Sequence, residues 1–287
     1  MTDAELKKRV STKDYLAYLK LKKGLETFDS LEGSIEPTFS KITNRLDAEK
    51  PKGKYIQLRW IGSIAASIIV LLGLFMFLQN DTTSHETGFG EHKSIVLLDG
   101  SEVLLNSKSQ LSYDESKWDS QRMLHLEGEA FFKVAKGKKF TVITSNGEVS
   151  VLGTQFNVNS TESYFDVVCY EGKVGVKTKT SNHILMPGDE VRKINGFDVE
   201  TFKTSKYAPT WIDGESTFKS VPLHYVLKAM EKEFEVVFDT SEIDEDVVFT
   251  GGFPNDDLNL ALKTVFGPLD ITYFEKEKRN IKLGHKR

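Results

Sequence analysis

The stretch RMLHLEGEAFFKVAKGKKFTVITSNGEVSVLGTQFNV, residues 122–158, decides the fold of the larger part of this chain. Its hydrophobic residues alternate with polar ones or form short runs, and glycine-containing turns separate these runs. Short runs rich in Val, Ile, Phe and Thr between turn signals are typical of β-strands. The stretch therefore predicts a succession of short strands at Arg122–Leu126, Ala130–Val134, Phe140–Thr144, Val149–Leu152 and Phe156–Val158.

The same pattern continues on both sides, from Ser94 to about Phe202. Turn signals such as Asp99-Gly100 and Pro187-Gly188 punctuate it, because glycine supplies the positive φ that tight turns need. Regularly spaced short strands predict an all-β domain over residues 94–203, as a roll, a barrel or a sandwich. The further predicted strands are Ile95–Leu98, Glu102–Leu105, Tyr164–Tyr170, Val174–Lys177 and Val191–Ile194.

The pattern changes near Trp211, where hydrophobic residues begin to recur at helical spacing. One helix is predicted at Pro222–Phe234 and a second at Asp257–Phe266, and strand-like runs flank both. The resulting order β-α-β-β-α-β-β over residues 211–285 predicts a compact α+β domain that is separate from the β region.

Upstream of the strands lies the uncharged stretch WIGSIAASIIVLLGLFMFLQ, residues 60–79. About 19 residues of helix reach about 28 Å, which is close to the hydrocarbon thickness of a bilayer, about 30 Å. A buried core helix normally keeps a polar stripe, and a cleaved signal peptide starts within the first few residues. The stretch therefore predicts one transmembrane helix that includes Trp60, Leu72 and Leu78, with Trp60 as an interfacial anchor.

Charge is distributed unevenly around this predicted span. Residues 1–59 hold 13 basic and 9 acidic side chains, so the overall charge of −4 comes from the residues after the span. The positive-inside rule places the N-terminus in the cytoplasm and residues from about 80 onward on the other side, with 80–93 as a linker. An acidic outer part gives no reason to expect a nucleic acid as a partner. The basic residues just before the span are Lys50, Lys52, Lys54 and Arg59.

Residues 1–58 are predicted to form short helices. Ser11 and Asp14 form a capping pattern for a helix that ends near Lys23, before Gly24, and Pro37 begins a second helix that ends near 49. Because so small a segment cannot bury a substantial core, it is predicted to complete its packing on a partner, with a weakly ordered stalk as the alternative. The predicted binding residues are Tyr15, Tyr18, Leu19, Phe39, Ile42 and Leu46.

Several motifs of the β region together resemble the FecR family of single-pass inner-membrane anti-sigma factors. They stand in the order and spacing of that family: LLDGSEVLLNSKSQL (97–111), LEGEAFFKVAKGKKFTV (126–142), VLGTQFNV (151–158), EGKVGV (171–176) and MPGDEV (186–191). The C-terminal module resembles the extra domain common in FecR-like proteins of Bacteroidetes, which is similar to the signalling domain of secretins and TonB-dependent receptors. That likeness begins at Trp211 and Gly214, followed by Phe218, Pro222 and Leu223.

The resemblance implies a multidomain membrane protein in the inner membrane. It would have a short cytoplasmic α-helical segment, one transmembrane helix, an all-β periplasmic domain and a C-terminal α+β domain. The family's members relay a signal from a TonB-dependent outer-membrane receptor to a cytoplasmic extracytoplasmic-function sigma factor, and a site-specific protease is a further partner of some members. By this likeness residues 1–58 would bind the sigma factor, and Trp211, Gly214 and Phe218 would bind the receptor. Residues 1–58 contain no Trp, unlike the sigma-binding segments of the best-known members, so the sigma-binding role comes from the architecture.

The sequence contains no pattern that predicts an enzyme, a cofactor or a metal site. There is no G-x-S-x-G elbow, no P-loop and no G-x-G-x-x-G. His125, Glu127 and Glu129 alternate on one strand and are interpreted as a solvated strand face. The lone Cys169 is interpreted as a small buried hydrophobic residue.

A second class of function stays open. The chain would then be a membrane-anchored periplasmic scaffold that binds a glycan or another envelope component without controlling a sigma factor. A carbohydrate site needs exposed aromatic rings, and Tyr113, Trp118 and Tyr164 are the candidates, although they are equally compatible with a core.

Overall fold

The computed structural model describes residues 6, 10–26, 67–73, 82–161 and 163–285. The chain divides into two compact units, Met1–Leu74 and Phe75–Arg287, each with its own internal contacts. In the first unit, helix α1 spans Thr12–Leu25. The second unit contains a β domain, residues 82–203, and an α+β domain, residues 211–285.

Helix α1 begins where the capping pattern predicts. The Ser11 Oγ accepts a hydrogen bond from the Asp14 backbone N–H at 3.3 Å and donates one to the Asp14 carboxylate at 2.6 Å. The helix continues through Gly24 to Leu25 instead of stopping before that glycine. Gly24 keeps helical backbone, and Lys22 and Lys23 lie in the last turn, where their charge stabilises the negative end of the helix dipole.

Part of the predicted N-terminal architecture lies outside the described residues. This applies to the second cytoplasmic helix with Phe39, Ile42 and Leu46, and to Trp60 and Leu78 of the predicted span. Leu72 lies in the described segment 67–73, which is helical and exposed. None of the helices in the described parts of the chain has the length and apolar character needed to cross a membrane.

The β domain is a two-layer structure organised by one long strand. β5, Arg122–Lys133, joins both layers: its first half pairs with β4 and β6, and its second half pairs with β3 and β8. The first sheet contains β1, β4, β6, β7, β10 and β11, and the second contains β2, β3, β8, β9, β12 and β13. The other strands are β1 Thr82–Glu86, β2 Lys93–Val96, β3 Glu102–Leu105, β4 Gln110–Asp114, β6 Phe140–Ile143, β7 Gly147–Val151, β8 Gln155–Thr161, β9 Tyr164–Glu171, β10 Val174–Thr178, β11 Asn182–Leu185, β12 Asp189–Ile194 and β13 Glu200–Lys203.

The core of the β domain consists of the alternate side chains that the two sheets turn toward each other. Leu124 and Val149 from the first sheet meet Phe132 and Phe156 from the second, and all four are fully buried. Cys169 belongs to the same core, as predicted, and burial followed by the nearby Asp189 charge raises the pKa of its thiol to about 11. The all-β prediction for this region is therefore confirmed, with a sandwich-like arrangement of layers.

Four strands of the β domain were not predicted from the sequence pattern, namely β1, β4, β11 and β13. β1 lies inside the predicted linker 80–93 and pairs antiparallel with β4, which was not predicted either. β1 reads TTSHE and has no hydrophobic residue, so no alternation marks it, and only its hydrogen bonds to β4 make it a strand. The strands predicted at Arg122–Leu126 and Ala130–Val134 form the single strand β5, which passes through Gly128 without ending.

Gly128 allows β5 to change sheets. Its φ is +99°, and a Cβ added there would lie 2.3 Å from the Ser109 Oγ. We expect Gly128→Ala to lower the free energy of unfolding by at least about 2 kcal/mol, because backbone strain and the close approach of Ser109 act together. Urea denaturation of the full chain measures the change. Gly100→Ala is the matched control, since Gly100 also has a positive φ, +78°, but has no atom within 4 Å. Equal costs for both variants would contradict the role given to the Ser109 contact.

The α+β domain has the predicted element order. Strand β14 pairs antiparallel with β16, and β18 lies between β15, which is parallel to it, and β17, which is antiparallel. Buried residues of both helices, such as Val226, Met230 and Phe266, form its core. The elements are β14 Glu215–Pro222, α2 Leu223–Phe234, β15 Val237–Asp239, β16 Val248–Pro254, α3 Leu258–Phe266, β17 Ile271–Glu277 and β18 Asn280–His285.

The α+β domain has a hydrophobic core of its own, and residues of the β domain also pack against that core. Ile194 of β12 belongs to the hydrophobic core of the α+β domain, and Tyr164 of β9 packs against that core. The Tyr164 ring lies 5.1 Å from the ring of Tyr225 on α2. The prediction of a separate domain rested on the change of periodicity near Trp211, which marks a domain boundary along the chain but does not report contacts across it.

Candidate functional site: the interdomain cavity

A cavity of about 580 Å³ lies between the β domain and helix α2 of the α+β domain. Its floor is the outer face of the second sheet, because alternate residues of β5, β8, β9 and β12 point away from the core. Its roof is one face of α2 with the segment that precedes β14. Interfaces between domains are common positions for ligand pockets. The main floor residues are Glu129, Asn157, Asn159, Asp166, Tyr170, Glu190 and Arg192, and the main roof residues are Trp211, Tyr225, Lys228, Lys232 and Glu233.

The carboxylate of Glu129 is held by three asparagine amides. It accepts hydrogen bonds from the Nδ2 groups of Asn106 at 2.9 Å, Asn157 at 2.8 Å and Asn159 at 3.2 Å. Burial raises the pKa of Glu129, and the hydrogen bonds from Asn157 and Asn106 oppose that shift. Its hydrogen-bonding capacity is thus largely used inside the protein.

The orientation of two of these amides is set by their own partners. The Asn106 Oδ1 accepts from the Ser107 backbone N–H at 2.8 Å, and the Asn157 Oδ1 accepts from the Trp211 indole N–H at 3.4 Å. Each amide must therefore present its Nδ2 group to Glu129. Trp211 lies at the start of the α+β domain, so this network joins the two domains.

A second charged cluster surrounds Arg192 on the same sheet. Its guanidinium donates to the Asp166 carboxylate at 3.3 Å, to the Glu190 carboxylate, and to the backbone carbonyl of Lys219 at 2.6 Å. Burial and then the neighbouring Glu190 charge raise the pKa of Asp166 well above its ordinary value. One buried guanidinium thus serves two carboxylates, and its bond to Lys219 reaches the α+β domain.

The roof presents two lysines, Lys228 and Lys232, one turn apart on α2. Neither ammonium has an ion-pair or hydrogen-bond partner among the residues that the structure describes. Burial lowers the pKa of Lys232; Glu129 and Glu127 oppose that shift, and Lys228 adds to it. Like charges at i and i+4 on a helix are mutually destabilising.

Further polar contacts cross between the domains at the edge of the cavity. The Ser107 hydroxyl donates to the Glu233 carboxylate at 2.6 Å, and the Tyr225 hydroxyl contacts the Ser163 carbonyl and hydroxyl at 3.1 Å. The Gly90 backbone N–H donates to the Lys232 carbonyl at 3.1 Å. The contact between the domains is therefore mainly polar around this cavity.

The structure places the predicted receptor-binding residues in different environments. Trp211 is 4% exposed and makes an edge contact with the ring of His92, so it is an internal contact in this conformation. Gly214 caps a short 3₁₀ turn with φ +81°, and the half-buried Phe218 stacks on Phe253 at 5.8 Å. Their role in binding a receptor stays a prediction.

The predicted sigma-binding residues on α1 share one side of that helix. The Tyr15 and Tyr18 rings are 6.5 Å apart, and Leu19 is exposed. Helix α1 has no buried residue. The other three, Phe39, Ile42 and Leu46, lie outside the described residues.

The polar residues His125, Glu127 and Glu129 of β5 lie in two different environments. His125 and Glu127 are exposed, as interpreted from the sequence, but Glu129, which lies on the same face by the alternation of β5, lines the interdomain cavity. The parts of the chain that the structure describes contain no group of His, Cys, Asp or Glu side chains arranged to hold a metal ion. Of the aromatic candidates for a glycan platform, Tyr113 and Trp118 are buried in the core, and Tyr164 lines the cavity.

The cavity itself was not foreseen from the sequence. The sequence pattern assigns no site to Asn106 and Asn157, and the Asn106 side chain bonds the neighbouring backbone N–H of Ser107. Their role toward Glu129 depends on strand pairing, since β5 and β8 lie far apart in sequence. Polar residues at alternate positions of β8 and β9 were the signal that this sheet face is not part of the core.

Comparison with known proteins found one family model and solved structures that are similar to parts of the chain. Residues 83–175 match the family model described as FecR protein. No curated protein matches the chain significantly. Two crystal structures of a proposed anti-sigma factor from Parabacteroides distasonis ATCC 8503, at 2.50 Å and 1.65 Å resolution, are each 26% identical to it with a TM-score of 0.65. They align with 72% and 71% of this chain and with 100% of their own chains. The matched segment runs from β1 to the start of β10 and includes the strands that carry Glu129 and Asn157, so this part of the chain is similar to the FecR family.

Proposed function

We propose that this chain is an anti-sigma factor whose N-terminal segment binds a sigma factor. The observation that carries the proposal is the FecR match together with the similarity to the Parabacteroides distasonis protein, which is itself described as a proposed anti-sigma factor. That similarity extends over about the length of the second unit. Helix α1 in the first unit has no buried residue and supplies a surface for the sigma factor.

The finer part of the proposal concerns topology and signal. The chain is anchored in the inner membrane by residues 60–79, with residues 1–58 in the cytoplasm and the β and α+β domains in the periplasm. The uncharged stretch and the basic residues before it support this orientation. The signal comes from a TonB-dependent outer-membrane receptor and reaches an extracytoplasmic-function sigma factor, and a site-specific protease is a candidate for the step that crosses the membrane.

The α+β domain is the part we assign to the receptor. Strand β17 lies at the edge of its three-stranded sheet and pairs only with β18 among the described strands. An edge strand can accept a further strand from a partner domain. Phe274 of β17 is exposed and would lie next to such a partner.

The sigma-binding face of α1 is tested by charge substitution. We expect Tyr15→Glu and Leu19→Glu each to weaken sigma-factor binding by about 30-fold or more, since loss of an interface anchor costs about 2 kcal/mol or more. Co-purification of the full chain with the host's extracytoplasmic-function sigma factors, followed by titration of the bound one, gives the measurement.

Ala17→Glu is the matched control, because Ala17 lies on the opposite side of the same helix and is exposed. It introduces the same charge and should leave binding unchanged. Equal weakening by all three substitutions would show a general charge effect and not a binding face. Unchanged binding in the Tyr15 and Leu19 variants would rule out this surface.

A further inference from the structure

The interdomain cavity contains a specific imbalance between hydrogen-bond donors and acceptors. The floor carboxylates are already engaged: Glu129 by three amides, and Asp166 and Glu190 by Arg192. Buried carboxylates satisfied in this way have little remaining capacity for a ligand. The floor carboxylates therefore do not favour a cationic ligand.

The other charged groups of the lining also have partners. Lys203 pairs with Asp189, and Lys206 donates to Thr217. Lys108 and Lys219 lie over the rings of Phe89 and Phe202. Lys228 and Lys232 on α2 are the lining cations that have no such partner among the described residues.

The groups left without a partner are mostly donors. Within the described chain, Lys228 and Lys232 have none, and the hydroxyls of Tyr164 and Tyr170 have none either. Among the carboxylates of the lining, Glu127 alone also lacks a partner within the described chain, and its side chain is exposed. The exposed Lys228, the half-buried Lys232 and the two tyrosines all line one cavity, and they offer several donors to a ligand rich in acceptor oxygens.

The cavity also has the size of a molecule and not of a single ion. Its volume of about 580 Å³ is within the range of small-molecule sites, about 300–1,000 Å³. The repulsion between Lys228 and Lys232 would be relieved by negative charge placed between them. We propose that the interdomain cavity binds a small organic anion bearing carboxylate or phosphate groups, held by Lys228 and Lys232 and oriented by the Tyr170 hydroxyl.

Because Lys228 and Lys232 belong to the α+β domain and Tyr170 to the β domain, a bound anion would strengthen the contact between the domains. This consequence goes beyond the proposed sigma-factor control and does not depend on it. The bound ligand would hold the two domains together at the polar interface where Ser107 donates a hydrogen bond to Glu233.

The test uses the full chain with inorganic phosphate and succinate as probes, at constant ionic strength set with NaCl, and glucose as a neutral probe. We expect at least one anion to raise the thermal midpoint by roughly 5 °C when its concentration is 100 times its Kd, and glucose to leave it unchanged. The double variant Lys228→Gln/Lys232→Gln should lose the shift. The control Lys173→Gln/Lys263→Gln removes two exposed charges outside the cavity and should keep it.

A second measurement needs no variant at the lysines. Acetylation of lysines in the wild-type chain, followed by mass spectrometry, should slow at Lys228 and Lys232 when the anion is present and stay constant at Lys263. Tyr170→Phe should weaken anion binding by about 3- to 10-fold, as expected for one hydrogen bond. The proposal is overturned if neither anion acts beyond NaCl, if the shift survives in the double lysine variant, or if labelling at Lys228 and Lys232 is unaffected.

Discussion

Replacing Phe132 with alanine should lower the free energy of unfolding of the second unit by about 3–5 kcal/mol, the usual cost of truncating a fully buried phenylalanine. Phe132 has no exposed surface, and its ring stacks on Phe156 at 4.9 Å and meets Phe140 edge-on at 6.2 Å. It lies on the half of β5 that belongs to the second sheet, while Phe140 belongs to the first. The truncation would therefore leave a cavity between the two layers, which neither sheet can close without moving β5.

Thermal unfolding of the full chain measures this effect, with an expected fall in the midpoint of roughly 6–20 °C for a unit of this size. Phe274→Ala is the matched control, because Phe274 is 56% exposed and its truncation should change stability by about 0.5 kcal/mol or less. A loss below about 1 kcal/mol in the Phe132 variant would mean that the layers repack around the gap.

Replacing Arg192 with methionine should cost about 3–5 kcal/mol at pH 7–8, because it leaves two buried carboxylates without their shared partner. Asp166 and Glu190 contact the guanidinium in a region that both domains cover. Methionine keeps the length of the side chain, so the loss reports the charge and its hydrogen bonds more than the packing.

The stability lost in the Arg192 variant should change with pH in one direction. Burial and Glu190 raise the pKa of Asp166 in the folded protein, so its protonated form favours folding. The contribution of such a group is fully present below its unfolded pKa, near 4, and is lost as pH rises through its folded pKa. Removing Arg192 raises that folded pKa further, so the deficit of the variant should be smallest near pH 4 and grow toward neutral pH.

Urea denaturation at several pH values between 4 and 8 gives the comparison. Lys203→Met is the control: Lys203 is mostly exposed, and its surface pair with Asp189 contributes at most about 1 kcal/mol. A deficit of the Arg192 variant that stays constant over this range would show that packing, and not the carboxylates, determines its cost.

Local patterns predicted most of the secondary structure correctly. The alternation in β3 and β9, the capping by Ser11 and the order of elements in the α+β domain all depend on residues close together in the chain. The strands that were predicted wrongly have one physical origin in common, which is that their conformation depends on pairing with other strands. β1 has no hydrophobic residue, so its strand conformation depends on hydrogen bonds to β4, and β5 runs through Gly128 because both of its halves find partners in different sheets.

The sequence by itself determined the β-rich class, the β-α-β-β-α-β-β order of the C-terminal domain and the FecR likeness, because periodicity, turn residues and motif spacing are local properties. Only the tertiary structure decided that Glu129 meets Asn106, Asn157 and Asn159, and that Arg192 holds two acids beside the α+β domain. These residues come from separate strands and loops, and their convergence depends on strand pairing and domain contact. Strand pairing and domain contact produce no periodic pattern in the sequence. The cavity and the lysines that line it can therefore be recognised only when the two domains are packed together.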